Sequence, residues 1–212
     1  MISFTTISLI LLAYMLGSIP SAVWIGKMMY NIDVRDYGSG NAGATNTFRV
    51  LGKKAGFPVL FIDIFKGFLA VKLVWLTSKY YPNTQQFMNL ELCLAMAALI
   101  GHIYPLFAGF RGGKGVATLL GILCAVHLGA AGICAGVFTI SLLLTHYVSV
   151  SSLLASLSFP ASVMFIYHES IPSLNIFAIF VCILVFITHQ KNIERLLKNE
   201  ESKVGFLSKK SN

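Results

Sequence analysis

The feature that most constrains this chain is a series of long apolar runs separated by short polar segments. Of its 212 residues, 56% are hydrophobic and only 11% are charged, whereas a soluble domain has about 25% charged residues. Apolar runs of this length cross a bilayer as helices, because a helix satisfies its own backbone hydrogen bonds in lipid. The sequence therefore predicts an all-α integral membrane protein, with residues 1–212 forming a single membrane domain.

Seven transmembrane helices are expected. The apolar run that begins near residue 115 is too long for one ordinary span and is interrupted near His127, so we divide it into two short helices. One tilted helix in their place would give six spans. The predicted spans are 4–26, 57–78, 91–110, 115–127, 130–146, 153–168 and 174–188, followed by a flexible basic tail at 203–212.

The positions of the basic residues favour seven spans over six. With the N-terminus outside, seven spans place thirteen of the sixteen lysines and arginines on the cytoplasmic side, one outside and two within the second span. Six spans would put the C-terminal basic cluster on the side opposite the first one. Because cytoplasmic loops are enriched in lysine and arginine, we predict an outside N-terminus and a cytoplasmic C-terminus.

Polar motifs gather on the predicted cytoplasmic side. The stretch GSGNAGATN at 38–46 has no side chain larger than asparagine, a composition that fits either a flexible linker or a backbone cradle for an anion. In FRGGKGVAT at 110–118, Arg111 and Lys114 surround two glycines at a predicted helix start. Such a pattern suits a phosphate, although charges that only set the topology are the alternative. Two further polar stretches are HYVSVSS at 146–152, predicted as a loop, and THQKNIERLLKNEESK at 188–203.

One charged pair lies within the second predicted span. Asp63 and Lys66 are three residues apart, so they share a helix face and are expected to pair. Pairing offsets the cost of placing a lysine in the membrane, about 2.5–3.5 kcal/mol at the bilayer centre. We interpret the pair as structural.

A second group follows the last predicted span. His189, Asn192 and Arg195 recur at three-residue steps and would share one face of a continuing helix. Glu200 and Glu201 lie beyond them and could orient the basic side chains. No two histidines have a metal-ligand spacing such as HExxH, so we expect no metal site and no cofactor.

These motifs, in this order, resemble the bacterial membrane acyltransferase family that uses acyl phosphate and glycerol 3-phosphate, the PlsY type. The resemblance covers residues 17 to about 201. Its matching stretches are GSIPSA at 17–22, GSGNAGATN at 38–46 with Arg49 and Gly52, DIFKG at 63–67, GHIYPLFAGFRGGKGVAT at 101–118, YVSVSS at 147–152, and HQKNIERLL at 189–197 with Glu201.

The resemblance implies acyl transfer to the sn-1 hydroxyl of glycerol 3-phosphate at the cytoplasmic face of the bacterial inner membrane. The donor would be acyl phosphate, and the products would be 1-acyl-glycerol 3-phosphate (lysophosphatidate) and phosphate. The expected partners are these substrates and membrane lipid, with no nucleic acid. A transporter of a phosphorylated solute is the main alternative, and a purely structural subunit is a third. Both explain less well why the polar motifs concentrate at one face.

Site residues follow from the same motifs as hypotheses. Catalytic roles fall to Arg49, Lys114, His189 and Asn192, which would hold glycerol 3-phosphate and polarise the reacting groups. Ser39, Asn41, Gly43 and Thr45 would surround the acyl-phosphate headgroup, closed by Ser149 or Ser151. The full substrate-binding set is Ser39, Gly40, Asn41, Gly43, Thr45, Asn46, His102, Arg111, Gly112, Gly113, Ser149, Ser151, Arg195 and Glu201.

Overall fold

The computed structural model describes residues 3–82 and 84–204, which fold as helices and connections with no strand. These residues form two compact units, Met1–His127 and Leu128–Asn212. The first contains α1 Phe4–Gly17, α2 Ser21–Tyr30, α3 Ala44–Leu51, α4 Lys53–Lys72, α5 Gln85–Ile103 and α6 Val116–Val126. The second contains α7 Leu128–Thr145, α8 Val148–Ala161, α9 Pro172–Thr188 and α10 Gln190–Leu197. One membrane domain with the span boundaries given above stays a prediction.

The break predicted near His127 is confirmed, because α6 ends at Val126 and α7 begins at Leu128. Another break was not predicted. The run expected as one span at 4–26 is two helices, α1 and α2, bent by 42°. Pro20 lies at this bend and has no N–H to continue the hydrogen bonding of α1.

Two local expectations are wrong. The HYVSVSS stretch is not a loop, because α8 begins at Val148 and places Ser149 and Ser151 in its first turns. The helix after the last span does not continue either, since α9 and α10 meet at His189 with a bend of 58°. The hydroxyl of Thr188 and the ring Nδ1 of His189 both lie within hydrogen-bond distance of the Val185 carbonyl oxygen, which stabilises the end of α9.

Several helices are suited to a membrane. Within the described residues, Gln85–Ala108, Leu128–Thr145 and Val148–Ile166 are long and apolar enough to cross a bilayer, and the two bent helix pairs raise the number to as many as five. α6 is short, with 11 residues, and α4 contains five charged side chains. The all-helical membrane class is supported, whereas the seven spans and the orientation of the termini stay predictions.

Small residues bring the helices of the first unit close together. A Cβ on Gly67 of α4 would meet the carbonyl oxygen of Thr118 in α6, and a Cβ on Gly121 would meet that of Ile64. Gly17 of α1 lies equally close to the backbone of α5. Backbone approach of this kind stabilises helix pairs in membranes, and it places the start of α6 firmly against α4.

The second unit packs α8 between α7 and α9. Phe159 of α8 contacts Phe177 of α9 edge to face, with ring centroids 6.3 Å apart, a favourable aromatic geometry. Past α10 the chain returns to the start of α8, where the Val204 N–H donates to the His146 carbonyl at 2.9 Å. The basic tail predicted beyond that point, at 205–212, lies outside the described residues.

Candidate active site

The GSGNAGATN segment has a defined shape that Asn46 maintains. Nδ2 of this buried side chain donates to the carbonyl oxygens of Val34 at 2.7 Å and Tyr37 at 3.1 Å, and Oδ1 accepts from the Ser39 N–H at 2.9 Å. Gly38 has a φ of 62°, and a Cβ there would overlap Oδ1 of Asn46. The segment is therefore not a flexible linker, and Asn46 determines its conformation.

Polar groups on this segment remain accessible. Thr45 and Arg49 are exposed and four residues apart on α3, so they share one helix face. Ser39 and Gly40 are also exposed, and Asn41 and Gly43 are half-buried. Hydroxyl groups and a guanidinium are thus exposed on this side, whereas the N–H groups of Ser39 and Gly40 donate to Oδ1 of Asn46 and to the Tyr37 carbonyl. Their contact with a substrate stays a prediction.

The RGGKG segment packs its two glycines against the end of α5. The Gly112 N–H donates to the carbonyl oxygen of Ile103, and that of Gly113 donates to the carbonyl oxygen of His102, both at 3.1 Å. A Cβ on Gly112 would overlap that His102 carbonyl, and one on Gly113 would overlap the His102 ring. These two N–H groups are therefore engaged within the protein. Both glycines thus allow a close approach to His102, and their contact with a substrate stays a prediction.

Lys114 and Arg111 lie on either side of these glycines. Lys114 is half-buried and Arg111 is exposed. α6 begins two residues after Lys114, with Gly115 at its N-cap in the left-handed region at a φ of 84°. The backbone of Lys114 is thus placed between the end of α5 and the start of α6.

His102 has a positioning role in this arrangement. Its ring is buried, and Nδ1 lies 3.0 Å from the hydroxyl oxygen of Thr118 in α6. The same residue contacts Gly113 through its ring and its carbonyl group. We predicted His102 as a substrate-binding residue, and the structure places it beneath the RGGKG segment.

A buried ion pair lies at the bend between α1 and α2. Nζ of Lys66 lies 2.9 Å from Oδ1 of Asp63, which confirms the predicted pair. Lys66 also donates to the Ile19 carbonyl at 2.7 Å, and Ser21 donates its hydroxyl to Asp63 at 2.7 Å. The carboxylate thus faces the N-terminus of α2 and the ammonium faces a carbonyl of the bend, as the helix dipoles favour. The pair satisfies backbone and side-chain groups that the bend exposes.

Next to this pair is a cavity of about 10 Å³, lined by Asp63, Lys66, His102, Gly112 and Gly113 among others. A cavity of this size has room for about one water molecule. Within the described part of the chain, Oδ2 of Asp63 has no hydrogen-bond partner. Gly112 and Gly113 of the RGGKG segment form part of the cavity wall.

Sequence reasoning missed Arg35. Its guanidinium donates to both carboxylate oxygens of Asp33, at 2.9 and 2.8 Å, and this bond keeps the pKa of Asp33 well below its ordinary value although burial opposes the shift. The same side chain donates to the carbonyl oxygens of Ala108 and Arg111. An Asp-x-Arg spacing directly before a glycine-rich stretch was the available signal for the ion pair. The contacts with 108 and 111 have no signal in the local sequence.

In the second unit, three predicted residues converge on Glu201. Oε1 accepts from the Ser149 hydroxyl at 2.9 Å and from Nδ2 of Asn192 at 2.6 Å, and Oε2 accepts from Nε of Arg195 at 2.7 Å. Burial opposes ionisation, but these three hydrogen bonds outweigh it and lower the pKa of Glu201. The predicted contact of Glu201 with Arg195 is confirmed, whereas a role of Glu201 in binding a substrate stays a prediction. The Ser151 hydroxyl instead donates to the Tyr147 carbonyl of its own helix.

His189 is buried at the bend between α9 and α10. Its Nδ1 lies 2.8 Å from the carbonyl oxygen of Val185, which can only accept a hydrogen bond, so Nδ1 bears the proton. In the neutral ring, Nε2 is then the basic nitrogen. In this tautomer Nε2 is the ring nitrogen that can accept a proton.

Comparisons with known proteins identify the family. A family model described as glycerol-3-phosphate acyltransferase matches residues 7–199. A glycerol-3-phosphate acyltransferase of Staphylococcus carnosus is 43% identical over 94% of this chain and 98% of its own length, and one of Enterococcus faecalis is 42% identical over 93% and 91%. The chain belongs to the glycerol-3-phosphate acyltransferase family.

Solved structures agree with this assignment. The chain is similar to PlsY (YgiH), an integral membrane glycerol 3-phosphate acyltransferase, in its glycerol 3-phosphate form, with a TM-score of 0.84 and 36% identity over 95% of this chain and 96% of that one. The lysophosphatidic acid form of PlsY gives a TM-score of 0.80 and 34% identity over the same shares. Members of this family acylate glycerol 3-phosphate, so these matches favour a multi-pass membrane acyltransferase over the transporter and the structural subunit.

Proposed function

We propose that this acyltransferase uses acyl phosphate as its donor and acylates the sn-1 hydroxyl of glycerol 3-phosphate. The products are 1-acyl-glycerol 3-phosphate and inorganic phosphate. The reaction takes place at the cytoplasmic face of the bacterial inner membrane. The acyl chain is itself lipid-like, which explains why a transferase for it is embedded in the bilayer.

The observation that supports this proposal most is the fixed shape of the two glycine-rich segments, which present Arg49 and Lys114. Two substrate phosphates and a developing oxyanion need immobile positive charge more than they need a nucleophile. Asn46 shapes the first segment, and His102 supports the second. Charge placed on rigid backbone requires little reorganisation when the transition state forms.

The bond changes are those of a direct transfer. The sn-1 oxygen attacks the acyl carbonyl carbon, the bond from that carbon to the phosphate oxygen breaks, and phosphate leaves with the electron pair. The hydroxyl proton passes to Nε2 of His189 or to an oxygen of a substrate phosphate. Because phosphate is a good leaving group, no acyl-enzyme is needed. A rapid-quench experiment that traps an acyl-serine would contradict this step.

The residues divide by substrate. Arg49, Lys114, His189 and Asn192 bind glycerol 3-phosphate and polarise the reacting groups. Glu201 orients both Asn192 and Arg195, each of which donates a hydrogen bond to its carboxylate. The sequence motifs assign the acyl-phosphate headgroup to Ser39, Asn41, Gly43 and Thr45, closed by Ser149 or Ser151.

A donor comparison tests the proposal. The full chain, purified in detergent, is given glycerol 3-phosphate with palmitoyl phosphate, palmitoyl-CoA or palmitoyl-acyl carrier protein in parallel. Lysophosphatidate is expected from palmitoyl phosphate alone, with the acyl group on the sn-1 oxygen by NMR. Comparable turnover with either other donor, or acylation of the secondary hydroxyl, would refute it.

A further inference from the structure

Arg35 makes an unusually complete set of contacts for a side chain in a polar segment. It lies in a short 3-10 turn, Val34–Asp36, directly before the GSGNAGATN segment. Nε and Nη2 donate to the two oxygens of Asp33, at 2.9 and 2.8 Å. Only 13% of its side chain is exposed. This fork-to-fork geometry fixes the plane of the guanidinium.

The remaining nitrogen, Nη1, contacts a distant part of the chain. It donates to the Ala108 carbonyl at 2.7 Å and to the Arg111 carbonyl at 3.2 Å. Arg111 comes directly before Gly112 and three residues before Lys114, and Ala108 lies three residues before Arg111. One guanidinium therefore connects the turn before the GSGNAGATN segment to the start of the RGGKG segment, through acceptors 73 and 76 positions away in the sequence.

Both ends of this connection are themselves fixed. Val34, next to Arg35, is fully buried, and its carbonyl oxygen accepts from Asn46 at 2.7 Å. At the other end, Gly112 and Gly113 are hydrogen-bonded to the last residues of α5. A displacement of Arg35 would thus be transmitted to both segments.

We propose that Arg35 is a positioning residue for acyl transfer: held by Asp33, it fixes the backbone at Ala108 and Arg111 and thereby the location of Lys114 relative to the GSGNAGATN segment. This inference rests on the proposed role of Lys114 in binding glycerol 3-phosphate. Arg35 itself needs no contact with a substrate.

A lysine cannot replace Arg35 in this role. Four hydrogen bonds, two to a carboxylate and two to carbonyl oxygens, require planar donors on three separate nitrogens, and an ammonium offers a single point charge. Arg35→Lys therefore keeps the charge and loses the geometry. The expected result is a rise in the dissociation constant for glycerol 3-phosphate of about ten- to hundredfold, the range expected when hydrogen bonds to a charged group are lost.

Lys27 provides the matched control. Its Nζ lies 3.3 Å from Oδ2 of the same Asp33, but its side chain is 57% exposed. Lys27→Gln removes a positive charge beside the same carboxylate without touching the contacts with Ala108 and Arg111. It is expected to leave glycerol 3-phosphate binding unchanged.

A double-mutant cycle tests the inference, with glycerol 3-phosphate binding to the full chain in detergent measured by calorimetry. Arg35→Lys, Lys114→Ala and the double variant are compared with the wild type. If Arg35 acts through Lys114, the double variant binds no more weakly than Lys114→Ala. If the rise in the dissociation constant of the double variant equals the product of the rises in the two single variants, the two sites are independent. That result would overturn the positioning role of Arg35. Binding unchanged in Lys114→Ala would instead overturn the proposed function of Lys114, and the inference with it.

A second variant keeps the test decisive if Arg35→Lys does not fold. Asp33→Asn retains the guanidinium but removes the anion that orients it. It is expected to weaken glycerol 3-phosphate binding in the same direction and by a smaller factor, with kcat less affected than KM. Binding and kinetics equal to those of Lys27→Gln would overturn the inference.

Discussion

The carboxylate of Glu201 accepts a hydrogen bond from Nε of Arg195 at 2.7 Å. Its other oxygen accepts from Asn192 and Ser149, so one carboxylate orients three side chains that sequence motifs assign to substrate binding. We expect Glu201→Gln to misplace Arg195, because the amide NH₂ cannot accept from its Nε, while the single amide oxygen is left to accept from Asn192 and Ser149. The variant should lose roughly 1–3 kcal/mol of stability, the cost of losing hydrogen bonds to a charged group, and most of its turnover. Wild-type turnover with a normal thermal midpoint would contradict this role.

The same carboxylate predicts a pH dependence of stability. The folded-state pKa of Glu201 lies below its ordinary value of 4.5, since the hydrogen bonds from Arg195, Asn192 and Ser149 outweigh the effect of burial. A depressed carboxylate pKa contributes stability that is full above pH 4.5 and is lost as the pH falls through the folded pKa. The difference in unfolding midpoint between wild type and Glu201→Gln should therefore shrink below pH 4.5. A difference that stays constant as the pH falls would show that the charge of Glu201 is not the cause.

A third prediction concerns the buried pair of Asp63 and Lys66. Asp63→Asn leaves the Lys66 ammonium buried without its counter-ion, which costs about 3–5 kcal/mol. Replacing both residues, as in Asp63→Leu with Lys66→Met, removes the uncompensated charge and should recover much of that loss. The free energy of unfolding of both variants is measured by denaturant titration in detergent.

The exposed pair of Glu194 and Lys198, 2.8 Å apart, is the control for that experiment. Glu194→Gln should change stability by no more than about 1 kcal/mol, as for other solvated ion pairs. A double variant at 63 and 66 that is no more stable than Asp63→Asn would show that the pair has a role beyond mutual charge compensation.

The fourth prediction concerns Gly113. A Cβ there would overlap the His102 ring, so Gly113→Ala must displace either the ring or the RGGKG segment. KM for glycerol 3-phosphate should rise roughly ten- to hundredfold, as misplacement of a binding group by about 1 Å can cause. Gly136→Ala in α7 is the matched control, because no atom lies within 4 Å of the added methyl group. Equal kinetics for the two variants would refute the steric argument.

Local spacing allowed part of this structure to be predicted. The break at His127 and the pair of Asp63 and Lys66 follow from apolar periodicity and from the three-residue repeat of a helix face, and both are present. The bend at Pro20 was missed because apolar composition continues across it. The bend at His189 was missed because the three-residue spacing of His189, Asn192 and Arg195 was interpreted as one face of a straight helix.

The supporting contacts of the site could not be predicted from local sequence. Arg35 contacts Ala108 across 73 positions, and no periodicity encodes such a pairing. The close packing of Gly113 against the His102 ring likewise has no signal in the local sequence. The motifs predicted which residues belong to the site, and the structure shows which of these residues hold others in position.

The stoichiometry of the complete reaction tests whether the acyl group passes directly from acyl phosphate to glycerol 3-phosphate. The purified chain is incubated with palmitoyl phosphate, with and without glycerol 3-phosphate, and inorganic phosphate and lysophosphatidate are measured together. Direct transfer predicts equal amounts of both products and negligible phosphate release when glycerol 3-phosphate is omitted. A burst of phosphate without glycerol 3-phosphate, or lysophosphatidate formed without an equal amount of phosphate, would contradict direct transfer from acyl phosphate.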